Sequence, residues 1–207
     1  MNAIKLNFIN NSNDTNNSDI VIFQKNLALK TTHSAIAWTV IENCGPSENH
    51  PFSFPLDIQV ASGDSDGNYT PKLDAQPGQS FEMIRTASGE SFQISKESSS
   101  TPTTIEIKNN LETGAINANI FKDGKLLAST HTIAPSQLAV FEFKPVIYIG
   151  VISEIKEGDV MNAAILSNIN TELSLLGIAS ADIVMTGGGP GANATPFQFS
   201  LTNVKYV

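Results

Sequence analysis

Residues 52–60 read Phe-Ser-Phe-Pro-Leu-Asp-Ile-Gln-Val, and their alternation decides the fold class. In an extended strand Phe52, Phe54, Leu56, Ile58 and Val60 share one face, with Ser53, Pro55, Asp57 and Gln59 on the other. The same period of two recurs at Ile4-Leu6-Phe8, Ile36-Trp38-Val40, Ile105-Ile107 and Ile116-Ala118-Ile120. Asn, Gly, Ser, Asp and Pro cluster between these runs, which is turn chemistry. Lys122-Asp123-Gly124-Lys125 reads as a hairpin turn, because Asp-Gly accepts the positive φ angles of type I′. Residues 145–152 (PVIYIGVI) form a continuous apolar run, as in a strand covered on both sides. Residues 160–169 also fit helical spacing after Gly158-Asp159, but strand is preferred because 171–178 and 182–185 continue in β fashion. The expectation is an all-β, antiparallel β-sandwich.

The chain has 207 residues, 41% hydrophobic and 15% charged, so it can bury a core without disulfides or metals. Lys and Arg number 12 against 20 Asp and Glu, a net charge of -8. Without a basic run there is no counterion-release term, which excludes nucleic acid as the expected partner. The same sign opposes adhesion to an anionic membrane surface. No run of 18 apolar residues occurs, so no transmembrane segment is expected. The first residues, MNAIKLNFINN, lack the apolar core of a secretory signal. Cys44 is the only cysteine, which rules out an intrachain disulfide and fits a reducing compartment. Cytoplasmic synthesis is expected, with non-classical release compatible.

The sequence also resembles itself. Residues 21–34 align without gaps on 119–132, matching Ile22, Phe23, Leu29, Thr32 and His33 with Ile120, Phe121, Leu127, Thr130 and His131. The offset is 98 residues (121 less 23, and 131 less 33). LNFINN at 6–11 resembles IEIKNN at 105–110, and SFQIS at 91–95 resembles PFQFS at 196–200. Three patches in the same order point to internal duplication. The polar stretch 95–104 (SKESSSTPTT) falls where a junction would fall. Two similar halves, 1–100 and 101–207, are therefore expected, each about 100 residues and of immunoglobulin-like size. One merged large sandwich is the alternative. The immunoglobulin Cys…Trp…Cys pattern is absent, since Cys44 stands alone and follows Trp38. Trp38 itself alternates with Ile36 and Val40 and reads as core.

Catalytic signatures are missing. There is no G-x-S-x-G elbow, no H-E-x-x-H and no Cys/His pair at zinc spacing. Cys44 and His50 read as a buried thiol and a loop histidine rather than a catalytic pair. His33 and His131 hold equivalent places in the repeat and could meet as a metal or pH-sensitive contact, or simply end their strands. Asp64, Asp66 and Asn68 offer oxygens at alternate positions around Gly67, a spacing that calcium favours but that an Asx-rich turn also explains. Tyr69 beside them reads as a solvent-facing aromatic that could form a sugar platform. The glycine-rich 187–191 segment leads into a strand rather than a helix, so it is a turn and not a phosphate loop. The expected function is non-enzymatic: surface contact as a self-associating structural subunit or a ligand-binding module. A membrane-active, pore-forming-like β-protein built on 91–107 and a calcium-assisted carbohydrate-binding module are the alternatives.

Overall fold

The computed structural model describes residues 3–16, 18–29, 34–64, 67–169 and 171–207. The first strands are β1 (Ala3–Asn10), β2 (Asp19–Phe23), β3 (Ser34–Ile36), β4 (Thr39–Ile41) and β5 (Asn49–Pro55). Next come β6 (Ile58–Gly63), β7 (Leu73–Ala75), β8 (Gln79–Thr86) and β9 (Gly89–Ser98). Then follow β10 (Ile105–Asn109), β11 (Ile116–Lys122), β12 (Lys125–Ile133), β13 (Leu138–Phe141) and β14 (Val146–Ile152). The chain ends with β15 (Val160–Asn162), α1 (Ala163–Asn168), β16 (Thr171–Ser174), β17 (Ile178–Gly188) and β18 (Thr195–Tyr206). The fold is all-β with several antiparallel sheets, as alternation predicts, and is consistent with a β-sandwich. Among the described residues no helix is long and apolar enough to cross a membrane.

Contacts divide the chain into two compact units. The first comprises Met1–Gln24, His33–Leu56 and Pro145–Val207; the second comprises Lys25–Thr32 and Asp57–Lys144. These boundaries differ from 1–100 and 101–207, because the polar stretch 95–104 is not a linker between units. Its first residues extend β9, and Ser99 N–H then donates to Gly78 O at 3.0 Å, which ties the following turn to the second unit.

The first unit has sheets of order β18-β17-β1-β5 and β16-β14-β2-β4, plus the pair β15-β3. The second has β9-β8-β10-β13 and β7-β6-β11-β12. The strand patterns agree. In one sheet of each unit the central pair is parallel, β1 with β17 and β10 with β8, flanked by antiparallel neighbours. The other sheet is antiparallel throughout. Inward residues are apolar: Leu6, Phe8, Ile22, Ile149 and Ile183 in the first unit, and Val60, Phe81, Ile107 and Ile120 in the second, are all buried.

Three local expectations change. Residues 52–60 are two strands, because Pro55 ends β5 and the chain crosses from the first unit to the second at Leu56–Asp57. Leu56 is exposed and Phe52 half-buried; Phe54 is buried in the first unit, and Ile58 and Val60 in the second. Residues 160–169 contain a six-residue helix, capped not by Asp159 but by Asn162, whose Oδ1 accepts the Ile165 N–H at 3.1 Å. Phe121 is half-buried beneath Lys72 Nζ, 4.0 Å from its ring centroid, whereas Phe23 is fully buried and stacked on Tyr148. The difference has a local cause. In the first unit β3, β15 and α1 cover Val21 and Phe23 with Ala35, Met161, Leu166 and Ile169. In the second unit the two residues Asp123 and Gly124, at φ 52° and 75°, turn β11 straight back into β12. That hairpin matches the expectation.

Candidate functional site

Two loops of the first unit build an open cleft of about 460 Å3. One loop follows β1; the other is the glycine-rich connection from β17 to β18. Ser12, Asn13, Asp14 and Thr15 line one side, with Gly188, Gly189, Asn193 and Thr195 opposite. The loops are held by backbone bonds: Asn13 N–H donates to Gly187 O at 2.8 Å, and Asn11 N–H to Met185 O at 2.9 Å. Gly188 is required by the close approach, since a Cβ there would lie 2.7 Å from the Phe197 ring and 3.2 Å from Asp14 N, at a φ of 77°.

A buried polar chain supports the first loop. Asn10 Oδ1 accepts the Ser12 N–H and hydroxyl at 3.0 and 2.6 Å, and Ser12 Oγ accepts the Asp14 N–H at 3.2 Å. Asp14 then accepts the Asn16 N–H on Oδ1 (2.9 Å) and the Ser18 N–H on Oδ2 (2.7 Å). Burial pushes its carboxyl pKa up, but the Ser18 and Asn16 donors outweigh burial and hold it below the usual range. The cleft thus presents a fixed carboxylate beside neutral amide and hydroxyl groups. Asn13, Thr15 and Asn193 spend no side-chain hydrogen bond on other described residues. In the second unit Ala87–Ser88 replaces the glycine-rich connection, so the equivalent end has no counterpart of this loop.

The sequence-predicted site residues are only partly brought together. Asp64 and Asn68 meet: Asn68 N–H and Nδ2 donate to Asp64 Oδ1 and Oδ2 at 2.9 and 2.8 Å. Asn117 Nδ2 adds a bond to Asp64 O at 3.1 Å. Asn68 therefore turns its donor, not its oxygen, toward the carboxylate. Asp66 lies outside the described residues. Tyr69 is 63% exposed with its ring against Gly63. His131 is exposed on edge strand β12, its Nε2 3.2 Å from Ser129 Oγ; His33, which aligns with it in sequence, lies outside the described residues. Among the described residues no three of His, Cys, Asp and Glu converge to hold a metal ion. Trp38 packs edge-on against Phe54 in the core, as its alternation predicts. Cys44 is buried; burial, with Glu48 nearby, raises its thiol pKa.

The edge strands form the other conspicuous surface. β18 ends its sheet and runs for 12 residues with one charged side chain, Lys205. Its sheet-inward residues Phe197, Phe199, Leu201 and Val204 are only half-buried. At the opposite edge, β5 carries Pro51 and Pro55, which have no N–H to offer a further strand. Neither Asp14 nor this asymmetry of edges was singled out by sequence reasoning. The available signal was the unequal spacing between matched patches, 98 residues at Phe23 and Phe121 but 105 at Phe92 and Phe197. No protein-family model, curated protein or solved structure matches the chain.

Proposed function

We propose that this chain is a non-enzymatic β-sandwich protein that acts by surface contact, associating with further copies of itself through the open edge of β18. One observation carries the reading: residues 198–202 (QFSLT) pair regularly with β17, hold no charge and no proline, and among the described residues have no strand on their other side. Natural edge strands are usually protected by charge, proline or bulges. Here register shifts interrupt the β17–β18 ladder on either side of 198–202, and within that stretch the pairing is regular. Two copies of such an edge are self-complementary in an antiparallel two-fold pairing, and half-buried Phe199 and Leu201 gain cover by it. The two halves, 1–100 and 101–207, are best explained as copies of one ancestral half-chain, each near the size of an immunoglobulin-like sandwich.

Sedimentation velocity over a concentration series tests the association. The wild type sediments as concentration-dependent oligomers, and Ser200→Lys with Thr202→Lys sediments as a monomer with an unchanged circular dichroism spectrum. A wild type that stays monomeric at millimolar concentration overturns the reading. Leakage of liposomes by the wild type would instead favour the membrane-active alternative.

A second reading, a ligand-binding module, rests on the cleft between the Ser12–Thr15 loop and the glycine-rich loop of the first unit. A carboxylate held ionised beside free amides and hydroxyls suits a neutral polyhydroxylated ligand, whose vicinal hydroxyls donate to Asp14 and accept from Asn13 or Asn193. Amide shift perturbations on titrating a panel of monosaccharides, lost in Asn193→Ala, test it; a panel that moves no cleft resonance rejects it.

A further inference from the structure

Every four-stranded sheet takes two strands from residues 1–100 and two from residues 101–207. In each sheet the central pair is the mixed one: β1 with β17, β2 with β14, β8 with β10 and β6 with β11. The pairs internal to one half are all outer ribbons, such as β1 with β5 or β17 with β18. We infer that the protein is a strand-exchanged pair of homologous halves fused into one chain, in which residues 1–100 and 101–207 are each other's obligatory binding partners.

The chain's hydrogen bonds support homology in detail. Asn10 and Asn109 are buried at the ends of β1 and β10, and each accepts the N–H two residues on, from Ser12 or Leu111. Each donates to the carbonyl that precedes a Gly/Ala-Pro-Ser-Glu/Gln turn: Cys44 O at 2.7 Å in one case, Ile133 O at 2.9 Å in the other. In those turns Ser47 and Ser136 hold φ of 70° and 67° and donate their N–H groups to Asn10 O and Asn109 O. Asn11 and Asn110 donate to Met185 O and Met83 O, both at 2.9 Å. Gly78 O and Gly177 O accept Ser99 N–H and Val207 N–H, both at 3.0 Å. Equivalent residues lie in opposite sequence halves throughout. The chain also changes unit just after Phe-x-Phe in both halves, 52–54 and 141–143.

The exchange explains why neither half closes a sandwich. Without 101–207, β1, β2, β6 and β8 lose their central neighbours and keep only two-stranded ribbons, which are marginal in water. Leu6, Phe8, Val60 and Phe81 would be bared together. An exchanged homodimer whose two chains become joined end to end gives this topology directly, since a two-fold interface presents the same surface on both partners.

The test keeps the full chain and introduces a specific protease site into the turn at 99–103, then cuts it. After the cut the two pieces co-elute as one particle of the uncut size with unchanged circular dichroism. Their melting midpoint becomes concentration-dependent, because unfolding now separates two chains. Two separately eluting, folded pieces of half the mass overturn the inference. If the inserted site prevents folding, Asn7→Cys with Asp182→Cys in a Cys44→Ser background provides the second arm. These residues pair across β1 and β17, so oxidation joins the two halves in the intact chain with a loss of two hydrogens by mass. Failure of that cross-link to form in folded protein refutes the mixed central pair.

Discussion

Replacing the two buried asparagines, one at a time, probes the frame that the units share. Asn10→Ala removes one donated bond, to Cys44 O, and two accepted ones, from Ser12 N–H and Oγ–H. Asn109→Ala removes two donated bonds, to Gly114 O and Ile133 O, and one accepted from Leu111 N–H. Three bonds at about 1 kcal/mol each give a loss of about 3 kcal/mol at either site, with stranded carbonyls keeping the figure from falling much lower. Asn109→Asp is more damaging than Asn109→Ala, because it aims a carboxylate oxygen at two carbonyls 2.9 Å from the lost donor. Urea unfolding followed by circular dichroism measures both alanine variants. Losses below about 0.5 kcal/mol at both sites, on the scale of ordinary surface changes, refute the claim that these bonds anchor the strand ends. A large loss at one site alone refutes their equivalence.

Gly150→Ala would press a Cβ into Ile169 Cγ2 where α1 covers the sheet, and is expected to cost about 1–3 kcal/mol, recovered in part by Ile169→Ala in a double-mutant cycle of thermal melts. Burial lowers the Lys122 pKa from 10.5 to about 8, against the opposing pull of Asp57. The folded state therefore binds fewer protons than the unfolded state between those values, so the penalty is full below pH 8 and relieved as pH rises toward 10.5. Lys122→Met is expected to gain up to about 3 kcal/mol at pH 7 and nothing at pH 11, flattening the pH profile of urea midpoints. Asp64→Ala breaks the clasp on Asn68 and is expected to cost about 1 kcal/mol. With that carboxylate engaged in the wild type, millimolar calcium leaves the melting temperature within error; a clear rise would assign the 64–68 turn to a cation.

Alternation made the strands and the inward faces legible, and Asp123-Gly124 made one hairpin legible outright. It could not show which strand faces which, because period two reports burial and not the identity of the neighbour. That is why 52–60 reads as one strand although the chain changes unit within it. The six residues of α1 are too few for a helical period to stand out, and its cap, Asn162, lies inside what looks like the helix. The sequence resembles itself only in patches, because the offset between them is not constant. It is 99 residues at Asn10 and Asn109 but 105 at Phe92 and Phe197. Of the site residues, Asp64 and Asn68 were legible as a turn from their spacing. Asp14 was not, because its role comes from a buried chain starting at Asn10 and from a loop more than 170 residues later.

Hydrogen–deuterium exchange of the full chain at low and high concentration, resolved to the amides of β18, tests the contact-surface claim most directly. The account predicts that the outward-facing amides of residues 198–202 exchange freely when dilute and become protected as concentration rises, while Pro51-bearing β5 stays unchanged. Protection that rises equally at both edges, or at neither, contradicts it.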